Sequence, residues 1–191
     1  GEIMTTIAPS NALLDVLANR RSTRVFDDQR PVDESALSAA LEAARWAPSA
    51  ANTQPWRMIV ARRGTDTFSQ ISDALTGFNR VWAITAGAFV VFLADTEHDG
   101  VELPWAEYDA GQAAAYFTVQ AHADGLMTHQ MGGSDRAAIA AAFSLPETVR
   151  PLTVMAVGNL GDLDAADEAV REREAAPRTR RPLSETVLAD A

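Results

Sequence analysis

Arg20-Arg21-Ser22-Thr23-Arg24 places three guanidinium groups and two hydroxyls within five residues. A guanidinium offers paired donors matched to phosphate oxygens, and each charge-assisted bond contributes about 1.5–3 kcal/mol net. Charge compensation at a helix C-terminus, worth about 0.3–1 kcal/mol, is the competing reading of the same residues. A second cluster, Arg178, Arg180 and Arg181, lies near the other end of the chain. A solvated tail would explain it alone. Two arginine clusters in an otherwise acidic chain make one shared anion the more economical account.

Three further segments carry polar groups in constrained settings. Pro48-Ser49-Ala50-Ala51-Asn52-Thr53-Gln54-Pro55-Trp56 sets a Ser, an Asn and a Gln between two prolines. Proline fixes φ and restrains its neighbour, so these side chains project in defined directions. Met131-Gly132-Gly133 lets the backbone approach a flat ligand and leaves N–H groups exposed at a following helix start. Glycine as turn punctuation is the alternative there. His129, beside Gln130, is a candidate proton donor. With no cysteine and no second His nearby, no metal site is expected. The chain also lacks a Ser-His-Asp arrangement, a Walker loop and a GxGxxG after a strand.

The elements that must position these groups follow from periodicity. Ser10-Asn11 can cap a first helix with apolar Leu13, Leu14, Val16 and Leu17, ending near Arg20-Arg21. Asp33 starts a second helix with Ala36, Leu37, Ala40, Leu41 and Ala44 at helical spacing. A strand is expected from about Arg57 to Ala61, a short helix from Thr65 to Leu75, and a strand apolar on both faces from Ala88 to Ala94. Trp105 to Ala123 reads as a long helix with Ala113, Phe117, Ala121 and Leu126 at core positions. Its alanines permit close approach of another helix, here expected from a subunit partner. Ser134 is expected to cap a helix to Phe143, with Asp135 favourable beside it. Leu152 to Gly158 is a third strand. Beyond it the composition turns acidic to Ala176, then basic, which reads as a tail leaving the globule.

A chain of 191 residues, 47% hydrophobic, supports one domain with a sizeable core. Sixteen basic against 26 acidic residues give a formal charge of -10, which argues against nucleic-acid or anionic-membrane partners. No apolar run approaches a membrane span, and the absence of cysteine suits a reducing compartment. A soluble cytoplasmic protein is the expectation. Gly1-Glu2-Ile3 ahead of Met4 looks like a cloning scar.

In order and separation, the arginine segment, Ala47 to Trp56, Met131-Gly132-Gly133 and Arg178-Thr179-Arg180-Arg181-Pro182-Leu183 resemble the nitroreductase family of FMN-dependent oxidoreductases. The resemblance runs from Leu13 to Leu183. It implies an α+β three-layer sandwich, a mainly antiparallel sheet flanked by helices. It also implies a domain-entwined homodimer: a core over 4–160 and an arm over 161–191 that reaches across the partner. Two FMN sites would lie at the interface. Arg20, Arg21, Ser22 and Arg24 would hold the phosphate, ribityl and pyrimidine side. Arg178 and Arg180 would meet the phosphate, with Arg181 the rival for the second place. Pro48, Ser49 and Asn52 would approach the flavin from the other subunit, and Met131 and Gly132 would lie along its reactive edge. The implied activity is ping-pong transfer of electrons from NADH or NADPH to a nitroaromatic, a quinone or another small conjugated electrophile. Dehalogenation, enone or aldehyde reduction, dehydrogenation and non-catalytic flavin sensing are the alternatives. No side chain is expected to be an obligate catalyst, His129 being the sole candidate. The sequence departs from better-known members in having Trp82 where some carry a flavin-directed lysine after Asn79. Ala50 stands in place of a second serine, and the segment between Ala94 and Trp105 is short.

Overall fold

Ala88-Phe89-Val90-Val91-Phe92-Leu93-Ala94 has no polar face, so it is stable only where both sides are covered. It forms the centre of the fold. The computed structural model describes Thr5–Thr6 and residues 12–191. In chain order the elements are β1 (Thr5–Thr6), α1 (Asp15–Asn19), α2 (Glu34–Arg45), β2 (Trp56–Arg62), α3 (Asp66–Ala74), α4 (Asn79–Trp82), β3 (Ala88–Asp95), β4 (Glu97–His98), β5 (Val101–Glu102), α5 (Ala106–Ala123), β6 (Met127–Met131), α6 (Arg136–Ala142), β7 (Val149–Gly158), α7 (Glu168–Glu174), β8 (Thr179–Arg180) and α8 (Leu183–Thr186). The main sheet is four-stranded and antiparallel, in the order β2-β3-β7-β6. Pro151 of β7 pairs with Leu93 beside a register shift. Proline lacks the N–H that an unbroken ladder would need there.

Helices cover both faces, the α+β architecture that the sequence predicts. On one face α2 lies against α5, with Ala36, Ala40 and Ala44 buried in the same cluster as Ala110, Ala113, Ala114 and Ala121. Leu37 fills the α2 face of that cluster, while Phe117 meets Phe92 edge-on at 5.8 Å. These alanines of α5 therefore pack against α2 of the same chain, while Tyr108, Ala115 and Tyr116 of α5 are exposed and leave a second face of the helix uncovered. On the other face Phe68 stacks on Phe89 at 4.1 Å, joined by Ile71, Ile139 and Val170 from α3, α6 and α7. Burying each such side chain contributes about 1.5–3 kcal/mol.

Two helix starts follow from local chemistry. Asp33 caps α2 by accepting from the Ala36 amide, and Thr65 caps α3 by accepting from Phe68. For α6 the cap is Asp135, which accepts from Ala138, not Ser134. Ser134 is instead drawn into a bridge with Leu75. The first helix begins only at Asp15; Leu13 and Leu14 precede it and, like Leu17, are exposed. The proposed Ser10-Asn11 cap and the Gly1-Glu2-Ile3 segment lie outside the described residues. Between β3 and α5 the chain forms only the β4–β5 hairpin, turning through Asp99 and Gly100, both at positive φ.

The acidic stretch after Gly158 does not leave the globule at once. Val170 of α7 is buried, and Arg173 lies over the Phe78 ring at 3.7 Å. β8 then pairs with β1. Farther on, Leu183 and Leu188 are exposed.

Candidate anion site at the sheet edge

β6 is an edge strand, and sequence reasoning missed it because Thr128, His129 and Gln130 give it a polar composition. Its free side is met by the arginine segment. Ser22 forms a parallel bridge with Thr128, and His129 Nδ1 donates to the Thr23 carbonyl at 2.9 Å. Because the pairing is parallel, the run from Ser22 to Arg24 heads the same way as β6, toward Gly132. Four residues of strand from Thr128 to Gly132 span about 13 Å.

At the Arg20 end of this track lies a pocket of about 540 Å³. Among the described residues six arginines line it, Arg20, Arg21, Arg24, Arg173, Arg178 and Arg180, with Glu174 the single carboxylate. Among the described residues Arg20 Nε is buried without a hydrogen-bond partner, and Nη2 reaches Ser22 Oγ at 3.4 Å. Burial, then the guanidiniums of Arg180 and Arg178, pushes the Arg20 pKa below its ordinary value. Like charges held together around an unused donor attract an anion. Arg178 has a second task, since it donates to the carbonyls of Arg20 (2.7 Å) and Ala18 at the end of α1. Arg180 lines this pocket, whereas Arg181 lines a neighbouring one with Leu183 and Glu185.

Two histidines lie behind the cradle. The Thr128 amide donates to His122 Nε2 (3.3 Å), whose ring therefore carries its proton on Nδ1. Burial, followed by the charge of Arg20, lowers the His122 pKa to about 4. Burial is also the largest influence lowering His129, partly opposed by its bond to Thr23. Its Nδ1 proton is held by a carbonyl and its ring lies 4.5 Å from Trp82. In this setting His129 is a strut between β6 and the arginine segment. Because the unfolded chain takes up a proton near pH 6.5 while folded His122 resists until about 4, stability is full above 6.5 and falls as pH drops toward 4. Urea midpoints at pH 7, 6 and 5 check this. His122→Gln is expected to flatten the decline, and an unchanged slope assigns it to other groups.

The far end of the track is a stitched turn. The Gly133 carbonyl accepts from Thr76 N (3.0 Å) and Asn79 Nδ2 (3.3 Å), while Gly132 is exposed. Met131 points into the core. A Cβ on Gly133 would stand 2.7 Å from Asn79 Nδ2, so close approach requires glycine here. Trp82, 2% exposed, stacks with Phe26 and lies over His129, and so belongs to the core.

Pro48, Ser49 and Asn52 are not part of this cradle. Pro48 and Ser49 line a separate pocket of about 250 Å³ with Trp105, Tyr108 and Asp109. Prolines are only part of what shapes the loop. Ala51, Asn52 and Gln54 all take positive φ, of 50°, 56° and 51°, a conformation that costs alanine about 1–2 kcal/mol. Asp109, 2% exposed, accepts from the Ala50 amide at 3.0 Å and pins the loop to α5. No local motif flags Asp109, because its partner lies 59 residues away.

The fold is an antiparallel sheet between two helical layers, with arginines from both chain ends lining one pocket beside its edge strand. The nitroreductase family profile matches residues 17–81 and 76–159. This chain belongs to the nitroreductase family. A solved structure described as "the oxidoreductase containing FMN" is similar with a TM-score of 0.86 at 29% identity, covering 97% of this chain and 96% of that one. An "uncharacterized 15.4 kDa protein" of Mycolicibacterium smegmatis is 39% identical over 139 residues, 69% of this chain and 94% of the relative. A Streptomyces coelicolor protein named "Putative NADH dehydrogenase/NAD(P)H nitroreductase SCO7141" is 29% identical over 184 residues, 85% of this chain and 90% of that one. Among the described residues no helix is long and apolar enough to cross a membrane.

Proposed function

We propose that this protein is an FMN-dependent oxidoreductase that takes electrons from NADH or NADPH and delivers them to a nitroaromatic, a quinone or another small conjugated electrophile. The observation that carries the reading is the buried, unpartnered Nε of Arg20, crowded by Arg178 and Arg180 at the start of a track that leads to Gly132. These residues fit a flavin mononucleotide. Arg20, Arg180 and the remaining donors of Arg178 would take the phosphate, with Arg21 at the pocket wall. Ser22 and Arg24 would serve the ribityl and pyrimidine side, and the backbone at Met131-Gly132 would face the ring edge. The family match and the relative described as containing FMN support the assignment.

Bound there, the cofactor supplies a two-electron carrier that side chains lack. The protein's part is to position and to polarise. Arg24 brings fixed positive charge to the track, which favours electron-rich states of a ligand at that end. His129 keeps the arginine segment in register with β6. Pro48 and Ser49 line a different pocket and Asn52 belongs to the same loop, so they would complete the site from a second copy of the chain, as would an arm formed by residues beyond 180. Donor and oxidant would use the same face in turn, the donor product leaving first.

The absorption spectrum before and after anaerobic NADH or NADPH tests this. Flavin bands that bleach with either donor are the expected result, followed by recovery on adding a quinone or nitroaromatic. A protein that shows no flavin bands after incubation with FMN refutes the reading.

A further inference from the structure

Glu174 is the anomaly of the cradle, a carboxylate with a side chain 4% exposed in a pocket whose other charged lining residues are arginines. A carboxylate in an anion site ordinarily competes with the ligand. Here its oxygens are directed elsewhere. Oε1 accepts from the Thr23 hydroxyl at 2.5 Å, and Oε2 accepts from the Arg24 backbone N–H at 3.0 Å. Among the described residues its ion pair is a long one, 3.6 Å to Arg21 Nε, on the outer side of the cluster. Thr23 is fully buried; its hydroxyl also accepts from the Val25 amide, and its carbonyl accepts a hydrogen bond from His129 Nδ1. One residue thus joins β6, the arginine segment and the end of α7.

Four residues further along, Arg178 makes the complementary attachment by donating to the carbonyls of Arg20 and Ala18. The tail grips the arginine segment twice with opposite polarity. Glu174 takes its donors, Arg178 takes its acceptors, and Arg20, whose carbonyl Arg178 holds, lines the same pocket as both.

We propose that Glu174 is the positioning residue of the cradle, locking the arginines of both chain ends into one anion site. This rests on the reading of the cradle as a site for the FMN phosphate. A counter-charge and a positioning group predict opposite signs. If Glu174 merely opposes the ligand, its removal tightens FMN binding. If it positions the arginines, its removal weakens FMN despite the more positive pocket.

The test compares FMN with riboflavin, which lacks the phosphate, in Glu174→Ala, Glu174→Gln, Thr23→Val and Thr23→Ser, with amide hydrogen exchange on the ligand-free proteins. Expected for Glu174→Ala are faster exchange at 20–24 and 176–180 together, FMN weakened about ten- to a hundredfold, and riboflavin nearly unchanged. Thr23→Val shifts the same readouts less, and Thr23→Ser restores them. Tighter FMN binding overturns the proposal, as does an equal loss of both flavins. Unchanged exchange at 20–24 overturns the clamp whatever the ligand. A wild-type protein indifferent between FMN and riboflavin would instead remove the phosphate reading, with the exchange data still deciding the clamp. If Glu174→Ala does not fold, the Thr23 pair carries the comparison.

Discussion

Arg20→Ala is expected to raise the FMN dissociation constant about a hundredfold or more while leaving the ligand-free protein as stable as before, or slightly more so. The two halves have one cause. Without an anion, Arg20 sits half-buried against two like charges with Nε unsatisfied. Deleting it removes repulsion and an orphaned donor together. With a phosphate present the same features turn favourable, because each charge-assisted bond in a poorly solvated site contributes about 1.5–3 kcal/mol and more than one is lost. Fluorescence titration with FMN and thermal denaturation of the ligand-free protein measure the two quantities separately. An unchanged FMN affinity rejects the phosphate assignment. Arg178→Ala is expected to behave differently, losing stability as well as affinity, because its guanidinium also terminates α1.

Gly161→Ala should be the most damaging single substitution outside the cradle. A Cβ there would stand 2.5 Å from the Phe26 carbonyl oxygen, 2.6 Å from its carbon and 2.9 Å from the Asp27 nitrogen. All three are backbone atoms, so no rotamer change relieves the overlap. The two segments cannot simply separate, because Gly161 N bonds Val25 O and Asp27 N bonds Asn159 O, each at 2.9 Å. Overpacking against fixed backbone costs roughly 3 kcal/mol, and in a chain of this size that lowers Tm by about 6–12 °C. Since the displaced residues continue directly from Arg24, flavin retention should fall with stability. A wild-type melting temperature in the variant would contradict the observed contact.

Residues with local partners were readable in advance. Asp33 and Thr65 cap helices through amides three residues away, and Ala88 to Ala94 could only be an inner strand. The arginine clusters and Gly132-Gly133 were legible as an anion and close-approach pattern, and the structure brings Arg20, Arg24, Arg178 and Arg180 to one pocket. What escaped was chemistry carried by distant pairs. Glu174 meets Thr23 across 151 residues, and Asp109 meets Ala50 across 59. In sequence both look like ordinary helix-surface acids. β6 escaped for a related reason, because Thr128 and His129 satisfy their polar groups inside the fold. Leu13, Leu14 and Leu17 show the converse, an apolar stripe left exposed by the described residues.

The bridge between Ser22 and Thr128 has a consequence for how the protein behaves in storage. An uncovered outer strand is a template for adding strands from other molecules, and natural sheets guard against it. Here the guard over β6 is the same arginine-bearing segment that forms the pocket wall. Loosening that segment uncovers the edge, so aggregation and loss of the bound anion should rise together.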